Sequence, residues 1–157
     1  MATAKAQIQN VRVKLDELSK LCLDIKPKTK VGDISTDSAE LNHAKRCIRF
    51  SRYWSAKMLS ELSESITTDL YSGPKPENWD EITNQAKITY LINELTDLAE
   101  LTKMINVSSE PVVSPVSKEF TLSRTNTYLY QLEASWWLTE ERTRITALYA
   151  PSRLYYN

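Results

Sequence analysis

The amino-acid sequence predicts an all-α fold: an antiparallel bundle of four long helices forming one domain over residues 1–157. Three observations carry that expectation. Chain breakers are scarce, with two glycines and six prolines in 157 residues, and they gather between segments of apolar periodicity. Apolar residues recur at helical spacing over four long stretches. No run approaches the ~20 apolar residues that a membrane span needs, so these stretches must bury their apolar faces against one another. A chain of this length suits a single domain and can remove about 68–70% of its unfolded surface from water.

Helix 1 is expected from about Thr3 to Asp24. Ala4, Ile8, Val11, Leu15, Leu18, Cys22 and Ile25 follow a strict four-three spacing, an a/d seam sustained for three heptads. Val13, Leu21 and Leu23 lie off that seam and widen the face. Lys26-Pro27 ends the helix, because the residue before proline is pushed out of the α region. Residues 26–37 read as a polar loop with Gly32. Helix 2 is expected from Ser38 to Ile66, capped by Asp37 or Ser38 with Glu40 in its first turn. Leu41, Ala44, Ile48, Met58 and Leu62 form its apolar face, beside Cys47 and Trp54. Ser51 and Ser55 interrupt that face and would let a neighbouring helix come close.

Thr67 to Asn78 is a loop with Gly73-Pro74 and Pro76. Helix 3 is expected to begin near Asn78 or Trp79 and to run to about Asn106. Its stripe is Ile88, Leu91, Ile92, Leu95, Leu98, Ala99, Thr102 and Ile105. Ser108 to Lys118 holds Pro111 and Pro115 in an extended connection. Helix 4 starts around Thr121–Thr125 and ends before Pro151. Leu122, Leu129, Leu132 and Trp136 point one way, whereas Ala134, Leu138, Ile145 and Leu148 point another. Either the helix breaks near Thr139, where Thr139-Glu140-Glu141 resembles a fresh N-cap and acidic first turn, or one helix buries two faces.

Composition excludes several chemistries. Twenty basic residues balance twenty acidic ones, which argues against a dedicated nucleic-acid binder. Two glycines cannot supply a dinucleotide fingerprint or a phosphate-cradling loop. His43 alone cannot build a multi-histidine zinc site. Cys22 and Cys47 have no CxxC spacing and read as buried thiols. Met1-Ala2-Thr3-Ala4-Lys5 has none of the apolar character of a secretory leader. The expectation is a protein that is cytoplasmic at synthesis, does not enter a membrane, and carries no catalytic residue, metal or cofactor.

Two constellations remain. The first is acidic. Glu61-x-x-Glu64 ends helix 2 and Glu94-x-x-Asp97 lies in helix 3. Carboxylates three apart share a helix face and can hold Mg²⁺, which prefers hard oxygen ligands. With Ser60-Glu61-Leu62-Ser63-Glu64 followed by Glu94-Leu95-Thr96-Asp97, the chain resembles the all-α nucleotide pyrophosphatases of the MazG type, whose pattern is EExxE then ExxD. Ser60 stands where the family has its first glutamate, and the intervening gap is long. The resemblance implies an alternative function, Mg²⁺-dependent nucleotide hydrolysis with Glu61, Glu64, Glu94 and Asp97 as metal ligands.

The second constellation is basic. Lys45, Arg46, Arg49, Arg52 and Lys57 crowd a stretch of helix 2 with no carboxylate between Glu40 and Glu61. The favoured partner is the acidic side of helix 3, in the same chain or in another subunit, where Glu77, Asp80, Glu81, Glu94, Asp97 and Glu100 face only Lys87 and Lys103. A bound phosphate, nucleotide or nucleic acid is the alternative, with Tyr53 as a stacking surface. Aromatics complete the picture. Trp136 and Trp137 are adjacent and point about 100° apart on a helix, so one is left for an interface. Leu154, Tyr155 and Tyr156 form an apolar tail suited to docking. The favoured function is therefore a non-enzymatic structural protein, a helical-bundle subunit of a homo-oligomer or larger particle such as a virion.

Overall fold

The structure is a computed structural model and describes residues 3–25, 28–31, 34–62, 71–106 and 118–148. Helix α1 spans Ala4–Cys22, capped by the Thr3 hydroxyl, which accepts from the Ala6 N–H at 3.1 Å. Every member of its four-three seam is buried, from Ala4 to Ile25, and Leu21 joins them. The polar loop expected next is instead a hairpin in its described part. Strands β1 (Lys28–Val31) and β2 (Ile34–Asp37) pair antiparallel, with Lys28 opposite Asp37 and Val31 opposite Ile34. The β-branched residues Thr29, Val31, Ile34 and Thr36 favour this extended backbone.

Helix α2 spans Ala39–Ser60. Ser38 caps it by accepting from the Leu41 N–H at 3.1 Å. It ends six residues before Ile66. The Ser60 hydroxyl donates to the Lys57 carbonyl, competing with the helix, and Glu61 closes the last turn through its own N–H. Leu41, Ala44, Ile48 and Met58 are buried as expected. Helix 3 does not begin at Trp79. A single 3-10 turn at Trp79–Glu81 follows Asn78 in the left-handed region (φ 60°), and the chain then extends at Ile82. Thr83 caps α3, Asn84–Lys103. Asparagine tolerates the left-handed conformation better than most residues.

Helix α4 spans Lys118–Leu148, starting before Thr121, and of the two alternatives near Thr139 it takes the unbroken one. The Thr139 hydroxyl donates to the Ser135 carbonyl within the helix at 2.8 Å instead of capping a new one. Glu141 is fully buried and serves another helix. The buried line of α4 is Phe120, Ser123, Thr127, Gln131, Ala134, Leu138, Glu141 and Ile145. It keeps the second-half stripe of the sequence reading but continues back through polar residues. Leu122, Leu129 and Trp136 point outward.

Contacts close the four helices into a square in which α1 neighbours α2, α2 neighbours α4, α4 neighbours α3 and α3 neighbours α1. The α2–α4 and α3–α4 interfaces are extensive, and those of α1 are lighter. All neighbours run antiparallel. Arg12 of α1 reaches Ser55 whereas Asp16 reaches Arg52. Ser51 of α2 meets Thr127, and Ser38 before it meets Glu141. Thr89 of α3 meets Arg142, whereas Ile105 beyond its end meets Arg124. Helices α2 and α3 therefore lie parallel on a diagonal, so the connection between them joins opposite ends of the bundle. Its described part lies on α1. The Tyr71 N–H donates to Asp16 Oδ2 at 2.6 Å, Lys75 pairs with Asp24 at 3.0 Å, and the buried Trp79 donates its indole N–H to Asp24 Oδ2 at 2.9 Å. Ser51 and Ser55 are buried where neighbours approach closely, as their small size suggests. Among the described residues, no helix is long and apolar enough to cross a membrane.

Candidate functional site

The exposed faces of α2 and α4 lie side by side and carry most of what the sequence singled out. Helical geometry divides the five cations of α2. Lys45 and Arg52 sit toward its neighbours and are paired. Lys45 bonds Asp37, and Arg52 Nη1 donates to Asp16 Oδ1 at 3.1 Å. Within the chain, pairing with the acidic side of helix 3 is not found among the described residues, because α2 and α3 occupy a diagonal and α1 supplies the carboxylate. Asp16 is well served. Burial pushes its carboxyl up, but the Tyr71 N–H, Lys20 and Arg52 together hold it below the usual range. Arg46, Arg49 and Lys57 point outward, exposed, and form no ion pair among the described residues. Phe50 and Tyr53 stand between them, 41% and 54% exposed, with the Lys57 ammonium 5.5 Å from the Tyr53 ring centre.

On α4, Leu122, Leu129 and Trp136 repeat every seven residues and are each about half exposed, at 53%, 50% and 52%. A seven-residue repeat keeps one helix face, so these three form a single apolar line. Exposed Glu133 and Glu140 border it on the side nearer α2. The adjacent tryptophans divide as helical geometry requires. Trp137 turns inward and stacks on His43 at 4.4 Å, whereas Trp136 stays outward, edge-on to Trp137. Sequence reasoning placed Leu122 and Leu129 in the core, did not single out Glu133, and read Glu140 only as part of an acidic first turn. The signal was present: two apolar lines far apart on one helix cannot both face one core. Leu154, Tyr155 and Tyr156 lie outside the described residues.

The acidic constellation is not drawn together in its described members. Glu94 pairs with Lys14 of α1 at 3.2 Å, and Lys14 also holds Glu17 at 3.1 Å. Burial lowers the Lys14 pKa, but these two carboxylates outweigh it and keep the ammonium charged above its usual range. Glu61 is exposed at the far end of α2, roughly two turns beyond the level of Lys14, and Glu64 lies outside the described residues. Among the described residues, no three His, Cys, Asp or Glu side chains gather where they could hold a metal. Beside Glu94 and Asp97, a groove of about 350 Å³ opens between α1 and α3, walled by Val11, Leu98, Leu101 and Ile105.

Neither thiol is set up as a nucleophile. Burial pushes Cys22 up to about 12. Burial and the adjacent Glu133 carboxylate push Cys47 up to about 12 as well. Nucleophilic cysteines need the opposite shift, and His43 is stacked on Trp137. Compared with protein-family models, with curated proteins and with solved structures, the chain finds no match.

Proposed function

We propose that this protein is a structural subunit that works by assembling through the outer faces of α2 and α4. The observation that carries the reading is the seven-residue line of Leu122, Leu129 and Trp136, large apolar side chains left half in water on the helix that organises the bundle. Contiguous apolar surface on a folded chain marks an interaction site. Aromatic residues and arginine, enriched at interface cores, lie beside it as Phe50, Tyr53, Arg46 and Arg49. The described side chains offer no activated nucleophile and no gathered metal ligands to compete with that reading.

Sedimentation of the full chain at rising micromolar concentration tests it. The expected result is a mass at a multiple of 18.0 kDa, reduced to a single chain by Leu129→Glu. A wild-type chain that sediments as a compact monomer throughout overturns it. A second reading rests on Arg46, Arg49 and Lys57, which form no ion pair among the described residues and lie next to Tyr53. They suit a phosphate-bearing ligand, and salt-sensitive binding of a nucleotide by a monomeric chain would favour it.

A further inference from the structure

The α2 and α4 faces together are self-complementary. We propose that they form a twofold homodimer interface in which α2 of one copy lies over α4 of the second. This rests on the assembly reading above and names its partner and geometry. One half of the face is basic and aromatic: Arg46, Arg49, Phe50, Tyr53 and Lys57. The other half is apolar and acidic: Leu122, Leu129 and Trp136 with Glu133 and Glu140. A chain with no net charge has thus sorted its exposed charges on this face by sign. Complementary halves on one molecule suit a second copy, because an isologous contact presents the same patch from both sides.

The symmetry follows from the sorting. A twofold axis along the groove between α2 and α4, parallel to both, carries α2 of the second copy onto α4 of the first. An axis across the helices would lay α2 on α2 and set arginine against arginine. The axis along the groove also preserves levels. Within one chain His43 is level with Trp137, Phe50 with Tyr130 and Ser51 with Thr127. The rotation therefore brings Arg46 level with Glu133 of the second copy, Tyr53 near its Leu129, and Lys57 near its Leu122. Arg46 meets a carboxylate, and the aromatic pair of α2 covers the apolar line of α4 around Leu129. The face measures roughly 33 by 20 Å, from the rise of α2 and the spacing of packed helices. That is on the order of the ~800 Å² per partner buried in an interface of standard size.

Charge reversal with mixing tests the geometry. One variant carries Arg46→Glu and Arg49→Glu, and the other carries Glu133→Lys and Glu140→Lys. Each alone sets like charges across both α2–α4 contacts, and self-association should weaken at least tenfold. Mixed together, the two match at both contacts and should form a heterodimer of near wild-type affinity. The chain with all four changes should regain the homodimer. Circular dichroism of each variant checks folding. If the α4 variant does not fold, the α2 variant decides alone, since Arg46 and Arg49 form no ion pair among the described residues. Self-association unchanged in the α2 variant, or no recovery on mixing two folded variants, overturns this interface while leaving assembly standing. A monomeric wild type refutes the assembly reading itself.

Discussion

Replacing Glu141 with alanine should be among the most damaging single changes in the helical frame. Glu141 is fully buried near the last turns of α4. Its Oε2 accepts from the Ser38 hydroxyl, and its Oε1 accepts from Arg144 Nε at 2.7 Å. Ser38 is at the same time the N-cap of α2. One carboxylate therefore fixes the capping hydroxyl of a different helix and neutralises an arginine. Removing one partner of a buried charged pair costs about 3–5 kcal/mol. The Arg144 side chain is 27% exposed and also pairs with Glu40 at 3.8 Å, so it keeps water and a second carboxylate, and no more than the low end, ~3 kcal/mol, applies. For a chain of this size that lowers the melting temperature by about 6–12 °C. Ser38→Ala should cost about 2 kcal/mol, through the lost cap and the lost donor. Urea unfolding at one fixed protein concentration should show a lower midpoint with an unchanged slope. A double-mutant cycle should return a coupling of about 1 kcal/mol or more between the two sites. A Glu141→Ala loss under ~1 kcal/mol, or additive single changes, would refute the reasoning.

The other expectations are simpler. Gln131 is fully buried and neither amide atom finds a hydrogen-bond partner among the described residues, so Gln131→Leu should raise stability by about 1–3 kcal/mol in the same titration, and a loss would show that the amide is satisfied. Asp16 and Asp24 both titrate below the usual 3.8, Asp24 because Lys75 and the Trp79 indole outweigh burial. Their contribution is complete above 3.8 and drains as pH falls through the lowered folded values. Melting curves across acid pH should show that loss, and Asp16→Asn should flatten it. Cys22 and Cys47 should resist iodoacetamide at neutral pH and react promptly once the chain is unfolded, and rapid labelling of the native chain would contradict their burial.

How much of this was legible depends on which question is asked of which residue. The α1 seam was readable in full, because Ala4 through Ile25 are apolar and all buried. The α4 core was not. Its buried line runs through Ser123, Thr127, Gln131 and Glu141, and identity alone places such residues outside. Thr127 spends its hydroxyl on the Ser123 carbonyl, and its own carbonyl accepts from Ser51. Polar residues are tolerated there because local bonds and close helix approach satisfy them. The apolar residues at 122 and 129 then read as core when they face out. Neighbourhood was equally hidden. Opposite charge on helices 2 and 3 suggested contact, but charge balance carries no information about adjacency. The informative feature was the long stretch between them, which permits a parallel, diagonal placement. The half-exposed tryptophan was foreseen for a geometric reason, the 100° step between Trp136 and Trp137.

The square arrangement bears on the order in which this chain can gain structure. Helices α2 and α3 touch each other hardly at all, and α1 grips them lightly, so residues 3–106 hold three helices with few reasons to stay together. The segment 118–148 supplies the large surfaces on which α2 and α3 settle. During synthesis that segment leaves the ribosome after the other three. Until it does, the surfaces of α2 and α3 that pack on α4 have nothing to cover them, and that interval is when the polypeptide is most open to aggregation or to capture by a chaperone. Its folding should then look nearly all-or-none, switched on by the arrival of the last helix rather than built up helix by helix.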